Sequence, residues 1–376
     1  MQLYTDRIET VVIGGGQAGL ATSYHMKARG LPHVVLDAGD RVGDVWRQRW
    51  DSLRLFTQGR ISGLPGMAYP GSGASYPDKE EVADYLETYA ARFDLPVMNG
   101  VNVNRVSPID NGFMVEHNDG RLQTDNVIVA TGSFHHPRIP KAAGGLDDGI
   151  FQMHSSSYRR PSQLQAGDVL VVGAGNSGAE IALELSDRHR VWLSGRDPGQ
   201  EPTKAGSVPD RFLTPVYWFF GHHVLKASTP MGRKARDHFL NPPRGIPLGR
   251  ARRKEIAAAG IERVPRTVGA SEGRPLLEDG RVLDVANVIW CTGYVADYSW
   301  IDLPIFGEYG YPAHVRGIVE SAPGLYFMGL MFQYSLTSPL VGGVGRDAGH
   351  IVKHIASRKS EFREPVKGGR LTAGPG

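Results

Sequence analysis

Two glycine-rich turns have the residue types and the spacing that hold a dinucleotide. They span residues 14–19 and 173–178, and both match the pattern G-x-G-x-x-G. In this pattern the first glycine permits a tight turn, the second lets the backbone approach a pyrophosphate, and the third lets the following helix pack against the strand. The free N–H groups at the start of that helix bind phosphate. The sequence therefore predicts two dinucleotide sites in one chain.

Each turn lies between an apolar strand and a helix. In the first unit, residues 11–13 predict a buried strand, an alanine-rich helix follows, and residues 34–36 predict the next strand. In the second unit, strands are predicted at 169–172 and 191–193, around a helix at 179–186. Two such βαβ units indicate an α/β fold with two Rossmann-like dinucleotide-binding domains.

The two units differ after their second strand. Asp37 follows the first unit directly, where a carboxylate accepts hydrogen bonds from a ribose and repels a 2′-phosphate. We assign Ser194 to the matching place in the second unit, and Arg196 stands two residues further on. A guanidinium binds phosphate through two parallel hydrogen bonds, so the first unit is predicted to hold FAD and the second NADPH. The alternative for Arg196 is an ordinary solvated surface charge.

A second repeat marks the connections between the units. Residues 126–132, Asn-Val-Ile-Val-Ala-Thr-Gly, recur at 287–293 as Asn-Val-Ile-Trp-Cys-Thr-Gly. Both stretches predict a buried strand that ends in a tight turn. We interpret them as the two crossings between a FAD domain and an NADP domain inserted into it. A further glycine-rich stretch, residues 342–345, leads into a closing helix whose start is expected to face the flavin.

The repeats predict a discontinuous first domain. Residues 1–160 and 291–376 are assigned to the FAD-binding domain, and residues 161–290 to the NADP-binding domain. Within the latter, residues 197–265 form a basic, helical excursion. It is interpreted as covering the active site, binding a partner or touching a membrane surface, and a solvated basic face is the simpler alternative.

Composition limits the class of protein. The 376 residues are 41% hydrophobic and 22% charged, as in an ordinary globular protein. A net charge of +3, without a recognition motif, argues against nucleic acid. Cys291 is the one cysteine, so a disulfide reductase of the thioredoxin-reductase type lacks its redox-active pair, and a reducing cytoplasm is expected. Neither a signal peptide nor a transmembrane segment is predicted.

With both glycine turns in place, the chain resembles the class B flavin-dependent monooxygenases, and in its length the compact bacterial flavin-containing forms. Residues 290–294, Trp-Cys-Thr-Gly-Tyr, are similar to the family's F-A-T-G-Y segment, and the Asn-Ser pair of the second glycine turn is typical of it. His154 and Tyr158 match the second half of the fingerprint F-x-G-x-x-x-H-x-x-x-[YFW]. The first half departs, since Asp148 and Ile150 stand where the pattern has Phe and Gly.

The resemblance implies an activity and its cofactors. NADPH is expected to reduce FAD, and one oxygen atom from O2 is expected to pass through a C4a-(hydro)peroxyflavin to a soft sulfur or nitrogen nucleophile of a small molecule. Tyr158, rather than tryptophan, favours this heteroatom-oxidising branch. Because the flavin carries the chemistry, no catalytic side chain is assigned with certainty. His154 is the candidate for coupling the two domains, and the alternative is a turn histidine bonded to backbone.

The cofactors are expected to contact residues in or beside these patterns. The predicted set is Gly14, Gly16, Gln17, Ala18, Gly19, Asp37, Gly43, Trp46, Val103, Ala130, Thr131, Gly132, Gly173, Gly175, Asn176, Ser177, Gly178, Ser194, Arg196, Thr292, Gly293 and Asp347. For Trp46, stacking on a flat cofactor ring competes with a role as a buried anchor.

Other functions stay open at this point. A Baeyer–Villiger monooxygenase acting on a ketone needs an arginine near the flavin, for which Arg60 and Arg346 are available. A flavin NAD(P)H oxidoreductase or oxidase inserts no oxygen, and a non-catalytic nucleotide sensor binds without turnover. The histidine pairs at 135–136 and 222–223 lack a third ligand, so no metal site is predicted. A homodimer is compatible with the sequence.

Overall fold

The computed structural model describes residues 7–71, 73–134, 136–240, 246–307 and 310–363, with side chains as far as residue 358. The strands are β1 Arg7–Ile13, β2 His33–Leu36, β3 Val97–Met98, β4 Val103–Ile109, β5 Gly112–His117, β6 Gly120–Val129, β7 His136–Pro137, β8 Phe151–His154, β9 Val169–Val172, β10 Val191–Ser194, β11 Glu262–Val264, β12 Thr267–Ser271, β13 Arg274–Leu277, β14 Asn287–Trp290, β15 Tyr294–Val295 and β16 Leu325–Phe327. The α-helices are α1 Gln17–Lys27, α2 Asp44–Arg47, α3 Lys79–Arg92, α4 Asn176–Leu185, α5 Val208–Phe219, α6 Pro230–Leu240, α7 Arg253–Ala258 and α8 Val344–Arg363.

The first sheet contains the first glycine turn. Its strands run in the order β3-β2-β1-β6-β5-β4, and β16 pairs with the second half of β6. Strands β3, β2, β1, β6 and β16 are parallel, whereas β4 and β5 form an antiparallel meander with β6. The apolar strand residues predicted at 11–13 and 34–36 are buried. The carboxyl ends of the parallel strands therefore meet at one edge of this sheet, beside the turn.

The second sheet contains the second glycine turn. Its five strands are all parallel and run in the order β11-β10-β9-β14-β8. Strand β8 pairs with β14 through Trp290 and His154, so this sheet takes in residues that precede 161. A mixed first sheet with a parallel part and an all-parallel second sheet, inserted between β6 and β16 of the first, confirm the predicted α/β fold with two Rossmann-like domains.

Helices cover the first sheet because their apolar residues recur at helical spacing. Helix α3 begins at the capping box foreseen in the sequence, where Asp78 accepts from the backbone of Glu81 at 2.9 Å. The Glu81 side chain accepts in turn from the Asp78 backbone at 2.8 Å. Val82 and Leu86 face the core and are fully buried. Helices α1 and α8 pack against each other, and His25 Nε2 on α1 lies 3.1 Å from the carbonyl oxygen of Gly345, near the start of α8.

The excursion at 197–265 contains three of the α-helices. Helix α5 continues into a π-helix at Phe220–Val224, α6 follows, and α7 packs against α4. The chain then returns as β11, the edge strand of the second sheet. Strands β12 and β13 form a separate hairpin.

Candidate cofactor sites

The first glycine turn is shaped by backbone contacts at two of its three glycines. Gly14 has a φ of +108°, and a Cβ added there would lie 2.6 Å from the carbonyl oxygen of Ala130. A Cβ on Gly19 would lie 1.8 Å from the carbonyl oxygen of Gly14. Gly16 differs, because a Cβ there would meet no described atom within 4 Å. The turn itself thus requires Gly14 and Gly19, while Gly16 keeps a space open.

The second glycine turn repeats this arrangement. A Cβ on Gly173 would lie 2.2 Å from the carbonyl oxygen of Cys291, and one on Gly178 would lie 1.8 Å from that of Gly173. Gly175 again faces open space among the described residues. Gly16 and Gly175 are the residues before α1 and α4, and no described side chain caps either helix. Both turns therefore fit a pyrophosphate that lies against the middle glycine and accepts from free helix N–H groups.

The side chains that open the two helices differ in their surroundings. Gln17 Nε2 donates to the carbonyl oxygen of Pro339 at 3.4 Å, and Ala18 is buried in the core of the first unit. Asn176 Nδ2 lies 3.2 Å from the carbonyl oxygen of Ile246, which ties the second turn to the excursion. Ser177 follows Asn176 in the first turn of α4.

Asp37 stands where the sequence predicts the ribose of FAD. One carboxylate oxygen accepts from the backbone N–H of Gly15 at 2.5 Å, and the other accepts from Gly39 at 2.9 Å. Each oxygen keeps a second lone pair for a ribose hydroxyl. The carbonyl oxygen of Asp37 accepts from the N–H of Val101 at 2.9 Å, and Val103 begins β4 two residues later.

The second unit corrects the predicted register by one residue. Gly14 donates to the carbonyl oxygen of Leu36, and Gly173 donates in the same way to Ser194. Ser194 therefore matches Leu36, and Gly195 matches Asp37. The Ser194 hydroxyl is fully buried and donates to the carbonyl oxygen of Pro265 at 2.9 Å, so it cannot reach a nucleotide. The prediction that Ser194 matches Asp37 is wrong because the sequence does not show which residue ends the strand.

Arg196 stands beside a basic groove at the ends of β10 and β11. Its side chain is exposed and forms no hydrogen bond or ion pair with the residues described. The groove, of about 460 Å³, is lined by Gly195, Asp197, Arg253 and Arg263, among others. Arg253 Nε lies 2.6 Å from Asp197 Oδ2. That hydrogen bond lowers the pKa of Asp197, and the guanidinium of Arg253 offsets its negative charge.

Helix α8, in the segment that returns to the first unit, carries a buried carboxylic acid, Asp347, in its first turn. Asp347 is 1% exposed, and burial raises its pKa. The guanidinium of Arg346 is the neighbouring cation, with Nε 3.8 Å from Asp347 Oδ1. A Cβ on Gly329, just after β16, would lie 3.3 Å from Ala18 Cβ. The end of β16 thus lies beside the start of α1, and a contact of Asp347 with the cofactor stays a prediction.

The two crossings between the sheets lie side by side. Strands β7 and β15 pair antiparallel, with Tyr294 opposite Pro137. Gly132 and Gly293, which end the repeated motifs, have φ values of +77° and +79°, and both face open space among the described residues. The hydroxyl of Thr292 donates to the carbonyl oxygen of Arg138. Ala130 and Thr131 directly follow β6, the corresponding strand of the first sheet.

His154 ties β8 to the second crossing. Its Nε2 donates to the carbonyl oxygen of Gly293 at 3.0 Å, since a carbonyl only accepts, and its Nδ1 accepts from the N–H of Ser156 at 3.1 Å. Burial lowers the pKa of His154, so the ring is neutral at neutral pH. The ring also packs edge to face on Tyr294, with centroids 5.1 Å apart. This geometry suits a positioning residue between the domains.

Trp46 and Gly43 form part of the packing between the units. Trp46 is partly buried against apolar clusters of both sheets, which supports the anchor interpretation, and its stacking on a cofactor stays a prediction. Gly43 has a φ of +92°, and a Cβ there would lie 2.7 Å from the carbonyl oxygen of Ala83. Tyr158 is fully buried and donates to Glu184 at 2.9 Å.

One polar hub was not foreseen in the sequence. Asp210, on α5, is 3% exposed and accepts from Gln58 Nε2 at 2.8 Å and from the Tyr76 hydroxyl at 2.6 Å. Thr214 Oγ1 and the N–H of Gly206 also donate to it. The hub joins the irregular loop of the first unit to the excursion. Its residues lie up to 152 positions apart, so no local pattern could have revealed it.

His222 and His136, which were considered as metal ligands, have hydrogen-bond or ion-pair partners in the protein, and Cys291 is a buried thiol. His222 Nδ1 lies 2.8 Å from Thr337 Oγ1, and His136 pairs with Asp297 at 3.0 Å; His135 lies outside the described residues. Over the described ranges, no three His, Cys, Asp or Glu side chains are grouped as metal ligands. Burial raises the pKa of Cys291 to about 12. In the same ranges, no helix combines the length and hydropathy that crossing a membrane requires.

Comparison with known proteins gives the family. The model of the pyridine nucleotide-disulphide oxidoreductases matches residues 11–218. The chain is 40% identical to the uncharacterized oxidoreductase CzcO-like of Geobacillus kaustophilus, over 93% of this chain and 98% of the relative. It is 27% identical to the probable indole-3-pyruvate monooxygenase YUCCA3 of Arabidopsis thaliana, over 95% and 89%. The chain therefore belongs to the pyridine nucleotide-disulphide oxidoreductase family.

A solved structure supports the same class. The flavin-containing monooxygenase from Stenotrophomonas maltophilia is 27% identical and superposes with a TM-score of 0.76, over 94% of this chain and 100% of that one. Together, these relatives confirm the predicted class of enzyme, a flavin-dependent monooxygenase or oxidoreductase.

Proposed function

We propose that this protein is a FAD- and NADPH-dependent monooxygenase that transfers one oxygen atom from O2 to a sulfur or nitrogen atom of a small molecule. The observation that carries the proposal is the pair of glycine turns whose middle glycines face open space, each at the edge of its own parallel sheet. The flavin-containing monooxygenase from Stenotrophomonas maltophilia and the match to the pyridine nucleotide-disulphide oxidoreductase family support the same cofactors.

The residues of this chain bind and orient. Gly16 and the start of α1 suit the pyrophosphate of FAD, and Asp37 suits its ribose. Gly175 and the start of α4 suit the pyrophosphate of NADPH, with Arg196 as the partner of the 2′-phosphate. Bound FAD, once reduced, supplies the activation of O2. The paired crossings and His154 set the distance between the two sites.

Stopped-flow spectroscopy combined with isotope labelling tests the proposal. The holoenzyme is reduced with NADPH without oxygen and then mixed with ¹⁸O2 and thioanisole. We expect a transient that absorbs in the near ultraviolet before the oxidised flavin spectrum returns, and a sulfoxide that carries one ¹⁸O atom. Direct return of oxidised flavin, with hydrogen peroxide and no sulfoxide, would make the enzyme an oxidase. A parallel reaction contains cyclohexanone in place of thioanisole. Lactone in that reaction, without sulfoxide in the first, would make the protein a Baeyer–Villiger enzyme.

Several finer assignments belong to this proposal. The division into residues 1–160, 161–290 and 291–376, a cytoplasmic location and a homodimer stay predictions, as does the lack of a nucleic-acid partner. The pairing of β8 with β14 favours a first boundary nearer residue 150.

A further inference from the structure

Three cations converge on one tyrosine ring in the segment that returns to the first unit. The guanidinium carbons of Arg316 and Arg346 lie 4.0 Å and 4.1 Å from the centroid of the Tyr334 ring, and Lys226 Nζ lies 5.7 Å from it. The ring attracts each cation, but the cations repel one another. The cluster, here called the Tyr334 cluster, comprises Lys226, Arg316, Tyr334 and Arg346.

Arg346 and Arg316 differ in how they are held. Arg346 donates to the carbonyl oxygen of His222 and to Ser335 Oγ, each at 2.7 Å. The guanidinium of Arg316 forms no hydrogen bond or ion pair with the residues that the structure describes, and its Nε is buried. A buried donor that lacks a partner is unfavourable. Arg346 leaves only its Nε without a hydrogen bond to a described residue, whereas all the donors of the Arg316 guanidinium are left for a ligand.

The charges of the Tyr334 cluster are not balanced by the described neighbours. Asp347 is the carboxylate next to Arg346, and the cluster sets three cations against this one described carboxylate. The nearby His222 is neutral at neutral pH, because burial and the charge of Arg346 lower its pKa to about 4. His222 adds no charge of its own, and the cluster retains an excess of positive charge that favours an anion.

The cluster lies between the first glycine turn and the excursion. Tyr334 stands on the connection from β16 to α8, and Pro339 of the same connection accepts from Gln17. The excursion covers this connection, since the N–H of Ala227 donates to the carbonyl oxygen of Tyr334 at 2.7 Å. A ligand bound here would lie at the carboxyl edge of the first sheet, where the proposed function places the flavin.

We infer that Arg316 binds the carboxylate of an anionic substrate, with the Tyr334 ring holding its guanidinium in place and Arg346 adding to the positive charge of the site. That the bound anion is a substrate rests on the proposed function. That the cluster binds an anion does not. A planar guanidinium that is stacked on a ring and free at its N–H edge suits the two oxygens of a carboxylate. Substrates of this class would combine a carboxylate with the oxidised sulfur or nitrogen atom.

The test compares a charged and a neutral probe on the oxidised holoenzyme. 4-(Methylthio)benzoate and its methyl ester are titrated, and binding is measured from the flavin absorbance and by calorimetry. We expect Arg316→Met to weaken binding of the carboxylate by about tenfold or more, with the ester unchanged. Arg316→Lys should restore part of the affinity. Arg188→Met, an exposed arginine beyond α4, is the matched control.

The outcomes separate this inference from the proposed function. Equal weakening of both probes, an unchanged affinity for the carboxylate, or failure of the wild-type enzyme to bind it would each overturn the inference. Loss of FAD from Arg316→Met would assign the cation to the cofactor and overturn it as well. Because no step of the titration needs O2, it gives the same answer when oxygen transfer fails.

Discussion

At the scale of single residues, the middle glycines carry most of the argument for the cofactors. A Cβ at Gly14 or Gly19 would strike backbone, whereas a Cβ at Gly16 would strike only what binds there. Gly16 and Gly175 also have extended backbone, with φ values of −75° and −74° that alanine adopts without strain. The folding and binding roles of these glycines can therefore be separated by mutation.

We predict that Gly16→Ala and Gly175→Ala give folded proteins with different losses. Gly16→Ala should weaken FAD binding by about tenfold, a loss of ~1.4 kcal/mol, because its methyl group occupies the place of the pyrophosphate. Gly175→Ala should keep FAD and raise the KM for NADPH. FAD content and reduction kinetics measure the two effects. Gly19→Ala, which clashes with backbone, should fail to fold; a folded Gly19→Ala protein would contradict the geometry.

The second residue-scale prediction concerns nucleotide preference. Replacing Arg196 with alanine should lower kcat/KM for NADPH about tenfold and leave that for NADH unchanged, because only NADPH carries the 2′-phosphate. Reduction of the flavin by each nucleotide is measured. Arg188→Ala serves as the control. An unchanged ratio would return Arg196 to the solvated surface charge and shift attention to Arg253 and Arg263 in the same groove.

At the scale of elements, helix α5 is held by its polar side. Asp210 and Thr214 face the protein, while Val208, Phe212, Val216 and Phe219 are exposed. The usual amphipathic arrangement is thus reversed. The helix depends on the Asp210 hub more than on apolar packing.

This dependence gives the third prediction. Asp210→Ala should lower the free energy of unfolding by about 3 kcal/mol, since it leaves the buried donors of Gln58 and Tyr76 without an acceptor. Proteolysis should then begin within residues 205–240. Thr214→Val removes a single donor and should cost less than about 1 kcal/mol. Denaturant titration and mass spectrometry of the fragments measure both; equal losses in the two variants would contradict the hub.

The elements also show how far the sequence could be followed. Both βαβ units, the capping box of α3 and the two crossings follow from local periodicity and turn residues, and they lie where they were predicted. Which residue of the second unit is equivalent to Asp37 depends on the strand register. The residue types of Ser194 and Gly195 do not indicate that register. The Asp210 hub and the Tyr334 cluster join segments distant along the chain. Their chemistry arises only after folding, so residue patterns could not predict it.

At the scale of the whole molecule, His154 links the second sheet to the crossing, and this gives the fourth prediction. His154→Gln should slow flavin reduction by NADPH while FAD content is retained, because the bond to Gly293 positions one domain against the other. The histidine pKa is lowered in the fold by burial, so its stabilising effect is present above pH ~6.5 and is lost as the pH falls through the folded pKa.

The pH profile distinguishes positioning from a general structural role. The reduction rate of the wild-type enzyme should fall only below the lowered pKa of the folded His154, on the acid side of the ordinary value of ~6.5, as Nδ1 becomes protonated and can no longer accept from Ser156. The His154→Gln protein should lack that acid limb. Ser156→Ala, which keeps the backbone N–H, should preserve it. An acid limb that persists in His154→Gln would assign the titration to another group.

The antiparallel pairing of β7 with β15 has a consequence for how such a chain can be built. Pro137 of β7 and Tyr294 of β15 are cross-strand neighbours, roughly 5 Å apart at Cα. The whole second sheet, with its excursion, therefore leaves and rejoins the first unit at a single point. A turn of two residues would close the first unit without it. The second unit is thus an insertion at one point of the chain, and its contacts with the first unit, such as the Asp210 hub, are what any exchange for another nucleotide-binding unit must preserve.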